Sequence, residues 1–224
     1  MSAYLAVNLC VIAIPLLFSF DRRVAFWRKW PAAFTSIATV GAIYLAWDSH
    51  ATGAGHWAFN PAYVGDLRLA GLPIEEWLFF VTVPYACLFT YECLRVYLAP
   101  RRVPLVSPFL AVGAVIAIVL AFLSVEKGYA FLAFSGLFLV LVFYLIFLPR
   151  LAEEWSFVVA MGIFFILFGI VNSVLTGIPI VTYDPAAITG LRIGTIPIED
   201  FVYNFIMLAG HLAIYRTVID RRPA

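Results

Sequence analysis

Residues 60–77 read NPAYVGDLRLAGLPIEEW, and residues 184–201 read DPAAITGLRIGTIPIEDF. The two stretches align without a gap at an offset of 124 (185 minus 61). Pro61 falls on Pro185, Leu67-Arg68 on Leu191-Arg192, and Pro73-Ile74-Glu75 on Pro197-Ile198-Glu199. Further out, Asp48-Ser49 falls on Asn172-Ser173 and Thr52-Gly53 on Thr176-Gly177. Self-similarity at a fixed spacing means that one structural unit occurs twice, so every polar residue has to be weighed together with its counterpart.

The surroundings of both stretches are apolar. Of 224 residues, 64% are hydrophobic and 12% charged, whereas a soluble domain is about half apolar and about a quarter charged. Too few polar residues remain to cover a water-exposed surface, which excludes a soluble enzyme, a disordered chain and a nucleic-acid binder. The net charge of +1 gives no reason to expect a polyanionic partner. A helix needs about 20 apolar residues to cross the hydrocarbon core. Apolar runs at about 2–20, 31–48, 73–98, 105–124, 129–148, 155–175 and 197–218 predict seven such helices. The expected fold is an all-α membrane protein of seven transmembrane helices, built as two three-helix parallel repeats joined by a linker helix. The boundaries are 1–104 for the first repeat, 105–128 for the linker helix and 129–224 for the second repeat. Matched helices lie four apart in order, so the repeats share one topology. An axis along the membrane normal then relates them, and sites form between them.

Basic residues follow the first apolar run, at Arg22-Arg23, and none precedes it. A cleaved leader has the opposite polarity, so this run reads as a retained helix. With the N-terminus outside, Arg22, Arg23, Arg28, Lys29, Arg95, Arg101, Arg102, Arg150, Arg216, Arg221 and Arg222 lie at the inner face, against Arg68, Lys127 and Arg192 outside. That bias predicts an integral protein of the cell (inner) membrane with its N-terminus out and C-terminus in. The long connections 49–72 and 176–196 are then outside or folded into the outer leaflet.

The doubled Pro-Ile-Glu-(Glu/Asp), at 73–76 and 197–200, is the strongest chemical feature. Proline and acidic residues both suit the first turn of a helix, so either copy alone reads well as a helix start. Two copies in one register, each opening a membrane helix, argue for more, because carboxylates at membrane depth are expensive and mark function. Glu75, Glu76, Glu199 and Asp200 are the candidate catalytic residues. Successive residues point about 100° apart on a helix, so at most one of each pair faces a shared cavity squarely. Glu75 and Glu199 are identical between the copies and are the expected proton donors, with Glu76 and Asp200 in support. An acid kept protonated by burial can act as a general acid.

Asp48 and Asn172 are expected to end the second and sixth helices, where they orient the glutamates or share protons with them. Trp77 and Phe201 follow the acids directly, and a ring face beside a buried acid can stabilise a transient carbocation. These four are the candidate substrate-binding residues. Asn60 and Asp184 precede matched prolines and read equally well as turn initiators. Glu92 and Arg216 occupy matched positions near the inner helix ends, where Glu92 can pair with Arg95. His211 lies twelve residues beyond Glu199, about 18 Å along the helix, and reads as a helix–helix hydrogen bond. His50 and His56 have no third ligand in sequence, so no metal site is expected. Cys10, Cys87 and Cys93 read as small apolar residues. No GxGxxG points to a dinucleotide or flavin, no DxxxD-type pair points to diphosphate chemistry, and no lysine lies in a span to carry a retinal Schiff base.

On FNPAYVGDLRLAGLPIEEWLFF, GTIPIEDFVYNF and the N-terminal LLFSFDRRVAFWRKW, the chain resembles the integral-membrane lycopene β-cyclases, the heterodimeric type whose two small subunits are fused in some organisms. The resemblance covers essentially the whole chain, and both copies keep the doubled acidic motif that marks the family. It implies a redox-neutral, acid-catalysed closure of the ψ-ends of a linear carotenoid, lycopene, to β-ionone rings, giving γ- or β-carotene. No cofactor is implied, and the partners are that carotenoid and membrane lipid, with no nucleic acid. A cyclase of C50 carotenoids carries similar motifs. A proton-coupled transporter would also suit parallel repeats with membrane carboxylates, although here the acids gather at one face and no relay crosses the bundle.

Overall fold

The computed structural model describes residues 2–221, so Arg222, among the cations expected at the inner face, lies outside the described residues. Among the described residues there are eight α-helices: α1 (Ala3–Phe18), α2 (Trp30–Gly53), α3 (Ile74–Tyr97), α4 (Val106–Leu123), α5 (Gly128–Phe147), the single turn α6 (Pro149–Ala152), α7 (Trp155–Gly177) and α8 (Ile198–Asp220). Five of them, α3, α4, α5, α7 and α8, are long and apolar enough to cross a membrane, and α1 is a shorter apolar helix. The distribution of polarity is that of a protein solvated by lipid. Asp48, Glu75, Glu76, Glu92, Asn172, Glu199, Asp200, Asn204 and His211 are buried, while Phe109, Phe122 and Leu123 of α4 stand exposed. A water-soluble bundle would reverse that arrangement.

The helices open on ordinary local signals. Ser2 caps α1, its Oγ accepting from Leu5 N at 3.2 Å. Pro31 sits in the first turn of α2, and Pro73 and Pro197 stand immediately before α3 and α8. Two expectations need correction. Asp48 and Asn172 do not end their helices. Nothing in Ser-His-Ala-Thr after Asp48 or in Ser-Val-Leu-Thr after Asn172 breaks a helix, and both α2 and α7 run on to the matched glycines Gly53 and Gly177. Nor is the chain purely helical. The long connections carry six short strands: β1 (Trp57–Phe59), β2 (Arg68–Leu69), β3 (Leu72–Pro73), β4 (Val181–Tyr183), β5 (Arg192–Ile193) and β6 (Ile196–Pro197).

These strands follow the 124-residue offset. β2 and β3 form one antiparallel hairpin and β5 and β6 another, with Arg68 opposite Pro73 and Arg192 opposite Pro197. The first hairpin turns through Ala70 and Gly71, at φ 52° and 81°, the left-handed pair of a two-residue turn. Ile74 N donates to Leu67 O at 2.9 Å, and Ile198 N to Leu191 O at 3.0 Å. β1 pairs antiparallel with β4, centred on Ala58 opposite Thr182. Those two residues are themselves 124 apart (182 minus 58), so each half gives and receives the same bonds. Asn60 N donates to Ile180 O and Asp184 N to His56 O, both at 2.9 Å. The helices exchange in the same way, with α2 packed on α8 and α7 on α3. α1 packs on α3 and α5 on α8, while α4 lies chiefly against α5.

Candidate active site

The β1–β4 strap and the first turns of α3 and α8 close over a cavity of about 70 Å³. Its polar lining comes from both matched motifs: Asp48 from α2, Glu76 from α3, Asn172 from α7, and Asp200 and Asn204 from α8. Tyr4, Tyr129, Tyr183 and Tyr203 surround these groups, and Trp57, Phe59, Phe79 and Phe168 complete the walls. The larger groove of about 940 Å³ between α2 and α3 is lined by residues such as Phe34, Leu45, Trp77 and Phe80 and by no carboxylate.

The adjacent acids of each motif separate by rotation about the helix axis. Glu76 and Asp200 face the cavity; Glu75 and Glu199 do not line it. Glu75 instead binds its own loop, its Oε1 accepting from Gly65 N at 2.8 Å and from Ser2 Oγ at 2.5 Å. Glu199 Oε1 accepts from Thr189 N at 2.5 Å, the position matched to Gly65. The Oε2 of each is buried without a protein partner.

Glu76 and Asp200 are held differently. Glu76 Oε2 accepts from Tyr4 Oη at 2.5 Å, and its carboxyl shares the cavity wall with that of Asp48. Asp48 Oδ1 also accepts from Tyr203 Oη at 3.0 Å. Asp200 takes three donors: Tyr129 Oη on Oδ1 at 2.7 Å, and Asn172 Nδ2 at 2.7 Å and Tyr183 Oη at 2.6 Å on Oδ2. Burial, and then the Asp200 charge beside it, push the Tyr183 phenol well above its ordinary range, so it stays protonated and donates. The aromatic walls pack edge-on: Trp57 meets Tyr129 at 4.9 Å between centroids and Tyr203 at 6.5 Å, and Tyr44 meets Tyr203 at 4.8 Å.

The other residues singled out in the sequence lie elsewhere. Trp77 lines the α2–α3 groove, its Nε1 donating to Leu69 O at 3.0 Å, and Phe201 packs on Phe165 and Phe168. Asn60 and Asp184 cap turns through Ala62 N and Ala186 N. Glu92 pairs with Lys29 as well as with Arg95, and accepts from Tyr215. Arg216 pairs with Glu154 and donates to Tyr91. His211 bonds Ser36, joining α8 to α2.

Tyr4, Tyr129 and Tyr183 are not marked by the gapless repeat. Tyr4 and Tyr129 are equivalent donors to Glu76 and Asp200, and each backbone N–H bonds a matched loop carbonyl, of Tyr63 and of Ala187. Their spacing is 125 (129 minus 4), so one residue of slip hid them from a gapless comparison. Tyr183 stands where the first copy has Phe59, and no identity marks it.

No curated protein and no solved structure matches the chain. The lycopene cyclase family model does, over residues 1–94 and 126–218. It therefore covers both copies of the motif and leaves out the helix between them, and the chain belongs to the lycopene cyclase family, the membrane enzymes of carotenoid cyclisation.

Proposed function

We propose that the protein closes the ψ-ends of a linear C40 carotenoid, lycopene, to β-ionone rings by proton addition and proton loss, an isomerisation with no net redox change. The observation that carries this reading is the convergence of Glu76 and Asp200, one from each copy of the motif, on a single aromatic-walled cavity within an apolar bundle. A carboxylic acid adds its proton to the terminal double bond. The electron pair of the internal double bond then forms the ring C–C bond and leaves a ring cation. A carboxylate removes a neighbouring C–H proton, and that electron pair becomes the ring double bond. The chemistry requires an acid, a base, exclusion of water and ring faces to stabilise the cation, and the lining supplies all four.

Glu76 and Asp200 suit the proton transfers better than Glu75 and Glu199, whose carboxylates tie down the loop backbone. Asp48 and Asn172 act beside them. At about 70 Å³ the cavity is smaller than a polyene end, so admission of one requires the aromatic walls to move apart. The two-repeat, seven-span arrangement is supported by the reciprocal strand and helix exchange and by the two matched stretches of the family model. The excess of Lys and Arg in alternate connections supports an inner-membrane placement with the N-terminus out and the long loops at the outer face.

Expression in a lycopene-accumulating host tests the reading. Loss of lycopene with gain of a monocyclic or dicyclic carotene of unchanged mass is the expected outcome. Conversion only in a C50-producing host would reassign the substrate, and unchanged pigment in both would refute cyclisation.

A further inference from the structure

The two acid centres, related by the repeat, differ in their partners. Tyr4 and Tyr129 are common to both. Beyond that, Asp48 of the first repeat stands where the second has Asn172, Phe59 where the second has Tyr183, and Phe79 where the second has Tyr203; all six line the cavity, and Tyr203 donates to Asp48 while Asn172 and Tyr183 donate to Asp200. The second centre therefore gains two hydrogen-bond donors, and the first has a second carboxyl and a hydrocarbon ring in their place. A carboxylate accepts only, and an amide N–H and a protonated phenol supply it with donors. Asp200, with two donors on one oxygen and one on the other, is set up as an anion. Asp48 and Glu76 line the same cavity with one phenol donor each, and two neighbouring carboxylates away from water repel each other, so the pair keeps a proton.

Resting on the cyclase reading above, we propose that the two repeats divide the proton work: the Asp48–Glu76 pair delivers the proton that starts ring closure, and Asp200 removes the proton that ends it. Asp48 is then part of the acid itself. Asn172 and Tyr183 are positioning residues that keep Asp200 ionised. Each turnover moves one proton from the pair to carbon and one from carbon to Asp200. Transfer from Asp200 back to the pair resets the site.

Infrared difference spectra of the purified, substrate-free protein in liposomes read protonation directly, through the carbonyl stretch of a neutral carboxylic acid. Asp48→Asn and Glu76→Gln should each remove one such band, Asp200→Asn should remove none, and Asn172→Asp should add one. In lycopene-accumulating cells, the first two variants should lose about 10²–10⁴-fold in cyclisation at equal membrane abundance and leave linear substrate. Asp200→Asn should instead give rings whose double bond is displaced, because the cation forms and loses a different proton. Loss of the neutral-acid band in Asp200→Asn overturns the assignment, as does an Asp48→Asn variant that keeps both the band and wild-type cyclisation. Wild-type protein that shows the expected bands but leaves every linear carotenoid unchanged overturns the cyclase reading and the catalytic roles, and leaves the protonation pattern standing.

Discussion

Glu75→Gln and Glu76→Gln, made separately, distinguish two neighbouring carboxylates that the fold uses differently. Glu75 Oε1 holds Ser2 Oγ at 2.5 Å and Gly65 N at 2.8 Å. Glutamine keeps that oxygen and loses the charge. A hydrogen bond to a charged group contributes about 1.5–3 kcal/mol and a neutral one about 0.5–1.5 kcal/mol, so each bond weakens by about 1 kcal/mol and the pair by about 2 kcal/mol. That loss falls on the junction of loop, α1 and α3, and should lower the melting temperature while cyclisation stays within about threefold of wild type. Glu76→Gln removes a proton-transfer group from the cavity and should cost about 10²–10⁴-fold in rate, with insertion unimpaired because a membrane carboxylate has been removed. The assay is carotenoid composition in lycopene-accumulating cells, normalised to membrane abundance, with thermal unfolding in detergent alongside. A Glu75→Gln variant that melts like wild type but has lost cyclisation 100-fold, beside an active Glu76→Gln, would refute the geometric argument and restore Glu75 as the proton donor.

The remaining predictions concern the frame around the site and the conditions of the reaction. A Cβ on Gly128 would lie 2.3 Å from His56 Nε2, the outer end of a half-buried side chain, so Gly128→Ala should cost no more than about 1 kcal/mol as that ring turns aside, recovered by His56→Ala in a thermal-melt comparison. Ala70 is held at φ 52°, where a side chain costs about 1–2 kcal/mol; Ala70→Gly should leave the melting temperature unchanged or raise it. Purified protein in liposomes should cyclise lycopene without added flavin or NAD(P)H, as product analysis would show; an absolute requirement for either would contradict acid–base closure. A reporter fused at Arg102 should read cytoplasmic and one at Gly55 periplasmic, and the reverse would invert the orientation.

The parts of this molecule legible in the sequence are those governed by composition and repetition. The apolar runs placed each long helix to within a few residues, apart from the end of α2. The second copy of Pro-Ile-Glu-(Glu/Asp) marked where the site would form. What stayed hidden depends on phase. Glu75 and Glu76 are adjacent on one helix, and which of them meets the cavity depends on how α3 is turned against its neighbours, a tertiary fact with no local signature. Identity between copies favoured Glu75 and Glu199, yet both keep a helix start and a loop together, a structural duty equally able to hold two residues alike. The short strands were invisible because two or three residues carry no alternation, and Tyr4 and Tyr129 because their spacing slips by one.

The strap formed by β1 and β4 gives and receives the same bonds on either side of Ala58 and Thr182. Nothing in such a self-complementary edge tells one half of the molecule from the other, so if the chain were severed within α4, the strap alone would let two like halves pair as two unlike ones do. Their cavities would differ in kind. Two first halves would bring two carboxyl pairs and no lone carboxylate, and two second halves would bring two lone carboxylates and no carboxyl pair. Only the unlike combination holds both, and a single covalent thread through α4 makes that combination the default for every molecule synthesised.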